Sequence, residues 1–126
     1  MRAQYHLRPS AEGLLAWDVR KLVALVEGLP VEVVPLSEIR ELDQRYWFGP
    51  EGSEPTCRAI ADHARLIGEA DLSYPIILDP DGRVMDGMHR VCRALAEGAE
   101  RISAYRLIEL PEPDSVGVPA GDLPYD

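Results

Sequence analysis

The stretch from Tyr74 to Arg106, YPIILDPDGRVMDGMHRVCRALAEGAERISAYR, constrains the fold most, because it sets a helix start directly behind a hairpin. Pro75-Ile76-Ile77-Leu78 is an apolar run that predicts a buried strand, Asp79-Pro80-Asp81-Gly82 predicts a turn, and Arg83-Val84-Met85-Asp86 the returning strand. Helical spacing begins at once: Met88, Val91, Cys92 and Leu95 form one apolar stripe, and Gly98 stands where a C-terminal cap is expected. His89, Arg90 and Arg93 then face away from that stripe. A helix N-terminus presents unpaired backbone N–H groups and the positive end of a dipole. Gly87 would let a ligand approach the backbone closely, and Arg90 would add a planar donor fork suited to phosphate.

Upstream, Ser10 is the expected N-cap of a first helix whose apolar face is Leu15, Val19, Leu22 and Val26 and which ends at Gly28 before Pro30. Val31 to Val34 predicts a short strand, and Ser37 is placed to cap a short helix through Ile39 and Leu42. Tyr46-Trp47-Phe48 precedes Gly49-Pro50-Glu51-Gly52-Ser53, the pattern of a loop anchored by aromatics that could close over a site. Pro55 and Thr56 open a second long helix with Cys57, Ile60, Ala64 and Ile67 aligned. Ile102 to Ile108 alternates as a strand, completing a β–α–β unit, and Glu109 to Asp126 is a Pro-rich acidic tail expected to be extended or partly disordered. The expected organisation is an N-terminal helical extension over residues 1–30, a core over 31–108 and a tail over 109–126, within an α+β (mixed α/β) fold.

At 126 residues the chain is one domain, with room for a partner or a homodimer to complete it. Its net charge of −9 argues against a surface that tracks nucleic-acid phosphates, so DNA binding is not expected from this chain alone. Lys21 is the only lysine, which excludes a G-x-x-x-x-G-K-[ST] phosphate loop and leaves Arg, His and backbone amides as the means of holding a nucleotide. Cys57 and Cys92 each fall on the apolar stripe of an expected helix and are read as buried free thiols, with no paired Cys/His metal spacing. Met1 to Glu12 lacks the apolar core of a signal peptide and no apolar run reaches membrane-spanning length, so a cytoplasmic protein without membrane contact is expected.

Leu-Asp-Pro-Asp-Gly-Arg-Val-Met-Asp-Gly-Met-His-Arg, residues 78–90, resembles the core of the ParB/sulfiredoxin-like superfamily, and the resemblance extends over roughly Val31 to Arg106. It implies a compact mixed sheet flanked by helices and a G-x-x-R motif, here Gly87, Met88, His89 and Arg90, that holds nucleotide phosphates. Sulfiredoxins carry a nucleophilic Cys where this chain has Met88, and a thioether cannot serve as that nucleophile. Chromosome-partitioning members add a DNA-reading region, and none is expected within these 126 residues. The free-serine kinases have a D-G-H-H-R-like motif to which Asp86-Gly87-Met88-His89-Arg90 is closest, with Met88 in place of their first His.

The resemblance implies binding of ATP, ADP or CTP with Mg²⁺ and phosphoryl transfer to a small hydroxyl-bearing molecule, or nucleotide hydrolysis. A non-catalytic nucleotide-sensing switch and a ParB-like nuclease are the alternatives. Thr56 and Arg58 correspond to the region that supplies further phosphate contacts, although a solvated first turn would equally account for them. Asp86 could hold Mg²⁺, fix Arg90 or cap the helix. His89 is read as a phosphate donor and catalytic group, and His63 as a half-buried structural histidine. Glu38, Glu41 and Asp43 are candidates for the carboxylate that takes the substrate proton, Glu38 being favoured because it follows a strand. Tyr46 and Trp47 could stack on a base or anchor their loop.

Overall fold

The computed structural model describes residues 4–49 and 54–125. Residues Tyr5–Arg8 (β1) and Leu15–Asp18 (β2) form an antiparallel hairpin, and only then does the first helix begin, at Val19–Leu25 (α1). This corrects the reading of residues 1–30 as a helical extension started by Ser10. Ser10 instead closes the hairpin turn, with its hydroxyl donating to the Gly13 carbonyl and accepting from the Glu12 amide. Asp18 is the true cap, accepting from the Arg20 amide at 2.9 Å. Burial decides the matter, since Ala16 and Trp17 are both buried and Trp17 Nε1 donates to the Pro111 carbonyl far along the chain.

The strand Glu32–Pro35 (β3) follows, and then two 3-10 turns, Leu36–Glu38 and Arg40–Asp43, in place of the single helix expected from Ser37. Leu36 and Ile39 both dip into the core, and Ile39 takes an extended conformation to do so, which interrupts the helical run. Cys57–Glu69 (α2) is helical as expected, but its half-buried positions are Ala59, His63 and Ile67, and Cys57 and Ile60 are exposed. The expected stripe therefore lies one edge away from the face that packs on the third helix.

Ile76–Leu78 (β4) and Val84–Asp86 (β5) form the expected hairpin, Met88–Ala96 (α3) the expected helix, and Arg101–Arg106 (β6) the expected strand. The main sheet has the order β3-β6-β4-β5, with β4 parallel to β6 and the other pairs antiparallel. The β–α–β unit is therefore not a simple one: β6 settles beside β4, and β5 lies on the far side of β4, running opposite to it. The fold is a mixed α+β fold, as expected. β4 explains its own sequence. Ile76 and Leu78 join Val34, Val84, Met88 and Val91 on one face, whereas Ile77 joins Trp17, Leu22, Met85 and Leu107 on the other. An unbroken apolar run is what a strand covered on both faces requires.

The tail, described to Tyr125, packs against the rest of the chain. Ser115–Val116 (β7) pairs with β2 as the third strand of the smaller sheet, whose order is β1-β2-β7. Asp114 accepts from the Asp18 amide at 2.8 Å and from Lys21 Nζ at 2.6 Å, Leu123 is buried, and Tyr125 packs edge-on against Tyr5. Composition predicts disorder here because few apolar residues are present, but the open edge of β2 offers backbone partners that composition cannot register.

Candidate functional site

Gly87 ends β5 in the left-handed region, φ +106°, and α3 starts immediately behind it. A Cβ at this position would lie 2.6 Å from Ile76 Cγ2 and 3.0 Å from Arg90 Nη2, so glycine is required both by conformation and by space. The Gly87 carbonyl accepts the first helical bond, from Val91, which leaves the amides of the first turn without helical partners.

Arg90 does not face the open side of this turn. Its Nη1 donates to the Tyr74 and Pro75 carbonyls at 2.9 and 2.7 Å, and its Nη2 donates to Asp86 Oδ2 at 2.9 Å. The guanidinium clips the entry of β4 to the first turn of α3. Asp86 is thus the partner of Arg90 and does not cap the helix, and burial pushes its carboxyl above the usual range while Arg90 pulls it down. Arg93 does similar work at the other helix, donating to the Gly68 and Ala70 carbonyls at the end of α2.

The first turn of α3 opens into a cleft of about 960 Å³. β1 forms one wall through His6 and Arg8, the end of the hairpin forms another through Arg83, Asp86 and Gly87, and Arg45, Tyr46, Trp47 and Phe48 border it. Met88 and His89 line it. Thr56 and Arg58 do not: both are exposed, and Thr56 Oγ1 is occupied as the cap of α2, accepting from Ala59 at 3.1 Å. Glu38 is likewise exposed and outside the cleft, as is Asp43. Glu41 is the carboxylate that the fold brings in. It is buried, its Oε2 accepts from the Val84 amide at 2.7 Å, and its Oε1 has no hydrogen-bond partner among the described residues.

His6 and Arg8 escape sequence reasoning because their segment reads as the lead-in to a helix. Their i, i+2 spacing was the available signal, since on a strand it places both on one face. His6 is buried between the rings of Trp17 and Tyr46; Arg8 Nε donates to its Nε2 at 2.8 Å, and its Nδ1 lies 3.4 Å from the Tyr46 hydroxyl. Burial, reinforced by Arg8 and Arg83 and opposed by Asp79, pushes its pKa down to about 3. Arg8 is held by Asp79 at 3.0 Å and sits over the Trp17 ring. Burial works against the charge of Asp79, but the Arg83 and Asp81 amides and the Arg8 guanidinium hold its carboxyl below the usual range. Asp79 is thus more than a turn residue.

On the opposite side, His63 Nδ1 and His89 Nε2 share a 2.8 Å hydrogen bond, and both imidazoles stack on Trp47, with ring centroids 4.2 and 4.5 Å away. Phe48 meets His63 edge-on. Burial, and then His63, lowers the pKa of His89 to about 4, so both rings are neutral near pH 7. The aromatic loop is therefore anchored on α2 and α3 through Trp47; Pro50 to Ser53 lie outside the described residues. No cluster of three or more His, Cys, Asp or Glu among the described residues is placed to hold a metal ion.

Cys57 is exposed and Cys92 half-buried, which corrects the expectation that both are core thiols. Burial raises the Cys92 thiol pKa. Cys57→Ala is accordingly expected to leave stability within about 0.5 kcal/mol, and Cys92→Ala to lower it by roughly 1 kcal/mol. Denaturant titration reads both, and labelling by a thiol reagent should reach Cys57 well before Cys92. Equal labelling rates would contradict the assignment.

No protein family, curated protein or solved structure matches this chain.

Proposed function

We propose that the cleft binds ATP, ADP or CTP together with Mg²⁺ and transfers a phosphoryl group to a small hydroxyl-bearing molecule or to water. The observation that carries this reading is the open first turn of α3, which shares its cleft with Arg8, Arg45 and Arg83. Backbone amides and the helix dipole favour an anion there, and the guanidinium groups supply cationic donors in a protein of net charge −9. A volume of about 960 Å³ is that of a cofactor-sized pocket. The resemblance of residues 86–90 to the ParB/sulfiredoxin-like superfamily points the same way.

Gly87, Met88 and His89 hold phosphate through the backbone, and His89 adds a neutral imidazole. Arg90 supports that turn from behind. Glu41, in place of Glu38, is the carboxylate of the cleft that takes the proton of the attacking hydroxyl. The residues fit Mg²⁺ in the manner usual for phosphoryl transfer, in which one or two carboxylates suffice because phosphate oxygens and water complete the shell. Asp86 would hold the ion through the oxygen not bonded to Arg90, and Mg²⁺ when bound neutralises charge on the phosphate oxygens. The reading places the protein in the cytoplasm, where nucleotides are; among the described residues no helix is long and apolar enough to cross a membrane.

Thermal stability measured with ATP, ADP, CTP and inorganic phosphate, each with and without Mg²⁺, tests the proposal. A ligand at about 100 times its dissociation constant adds roughly 2.7 kcal/mol. Multiple turnover with release of phosphate or of a phosphorylated alcohol supports the enzyme, and stoichiometric binding without turnover would leave a nucleotide sensor. Duplex DNA is expected to give no gel shift at physiological salt. Absence of any nucleotide effect would sink the reading.

A further inference from the structure

The contacts around His6 settle the direction of a chain of hydrogen bonds that ends in the cleft. A guanidinium has donors and no acceptor, so at the 2.8 Å contact Arg8 Nε donates and His6 Nε2 presents its lone pair. The ring is neutral at ordinary pH, because it is buried and faces the Arg8 and Arg83 guanidinium groups. A neutral imidazole with a lone pair on Nε2 carries its proton on Nδ1. His6 Nδ1 lies 3.4 Å from the Tyr46 hydroxyl, so it is the histidine that donates and the tyrosine oxygen that accepts. Tyr46 then has its own proton left to give, and not to His6.

The far end of the chain is equally determined. Asp79 is 2% exposed, and its Oδ1 accepts from the Asp81 and Arg83 amides at 2.8 and 2.9 Å while its Oδ2 holds Arg8 Nη1 at 3.0 Å. Arg8 is further fixed over the Trp17 ring. The turn of the hairpin thus orients Arg8, Arg8 orients His6, and His6 orients Tyr46, which lines the cleft beside Glu41 and Asp86. A tyrosine in such a place stays protonated, since burial and then the fields of Glu41 and Asp86 raise its pKa.

We propose that Tyr46 is a ligand-recognising residue of the cleft, a neutral hydroxyl whose proton the Asp79–Arg8–His6 chain commits to a phosphate oxygen of the bound nucleotide. This rests on the phosphate reading of the cleft. It adds to that reading a recognition group on the aromatic loop, in the same cleft as the helix start. It also makes His6 a positioning residue: replacing it changes which atoms donate, without removing any group that touches the ligand.

Two measurements on the whole chain test the inference. Long-range ¹⁵N–¹H correlation spectra of the ligand-free protein should show His6 with a protonated Nδ1 and an unprotonated Nε2; the opposite tautomer would overturn the proposed direction. Tyr46→Phe should stay folded, with a melting temperature somewhat below wild type because the buried His6 Nδ1–H loses its acceptor, and weaken the binding of whichever of ATP, ADP or CTP the wild type takes by about tenfold or more, the worth of one hydrogen bond to a charged group. His6→Phe, which leaves the Tyr46 hydroxyl in place but undirected, should weaken the same binding by a smaller factor, and it provides the readout if Tyr46→Phe does not fold. Wild-type affinity in both variants would remove Tyr46 from recognition while leaving the phosphate reading intact. A wild-type protein that binds neither nucleotide nor inorganic phosphate would instead overturn that reading, and the role of Tyr46 with it.

Discussion

Gly87→Ala is expected to destabilise the protein by roughly 2–5 kcal/mol, combining the penalty of a left-handed conformation with that of overpacking. The added methyl would stand 2.6 Å from Ile76 Cγ2, and Ile76 is fully buried at the centre of the sheet, so there is no void to receive the displaced side chain. It would also press on the Arg90 guanidinium, which holds the Tyr74 and Pro75 carbonyls and Asp86 in one cluster. A shifted denaturant midpoint at unchanged slope reads the effect. A loss below about 1 kcal/mol would mean that the β5–α3 corner yields easily, contrary to the packing described.

Acid should destabilise the protein through His6. Its folded pKa of about 3 lies below its ordinary value of 6.5, so between these limits the unfolded chain binds a proton that the folded chain excludes. Stability therefore rises with pH through that window and is lost as pH falls from 6.5. Each pH unit within it is worth about 1.4 kcal/mol, which amounts to roughly 2 kcal/mol on going from pH 6.5 to pH 5. Arg8, Arg83, Asp79 and Tyr46 are the charged or titratable groups facing the ring. His89 and His63 act with the same sign but are more exposed and contribute less. The carboxyls titrate lower: Asp79, held below its usual range, costs stability only in stronger acid, whereas Asp86, raised, offsets part of that loss. Melting temperatures of wild type and His6→Gln between pH 7 and 5 check this. His6→Gln should be less stable at pH 7 and should lose stability less steeply than wild type as pH falls, the remaining slope coming from His89 and His63, and a slope equal to that of wild type would move the acid sensitivity elsewhere.

The hairpin and helix of residues 75–96 were legible because each of their signals is local. An apolar run, an Asp-Pro-Asp-Gly turn and a glycine before a helical stripe act over a few residues and need no partner to be recognised. Arg90 and Arg93 were legible as cationic groups on α3, but their assignments were not. A guanidinium fork serves a backbone carbonyl as readily as a phosphate, and only the positions of Tyr74, Pro75, Gly68 and Ala70 show which it serves here. The helical phases drifted for a related reason. Alanine is too small to announce a face, so the apolar pattern points to the larger Ile60 and Leu95, each about half exposed, and not to Ala59 and Ala94, which pack inward.

The residues alone were enough to define the β4–β5–α3–β6 succession, the place of Gly87 and the acidic, lysine-poor character of the chain. Pairing across the chain decided the rest. The Trp17 indole is buried by a bond to Pro111, β2 by the edge it gives to β7, and Asp18 by Asp114, so the N-terminal third became a hairpin on the far face of the sheet. The hairpin itself, residues 5–18, carries His6 and Arg8 to the cleft, and the packing of Ile39 turns Glu41, not Glu38, inward. Short periodicities are written in neighbouring residues, but the free energy that selects between a marginal helix and a strand comes from surface buried against segments nearly a hundred residues away.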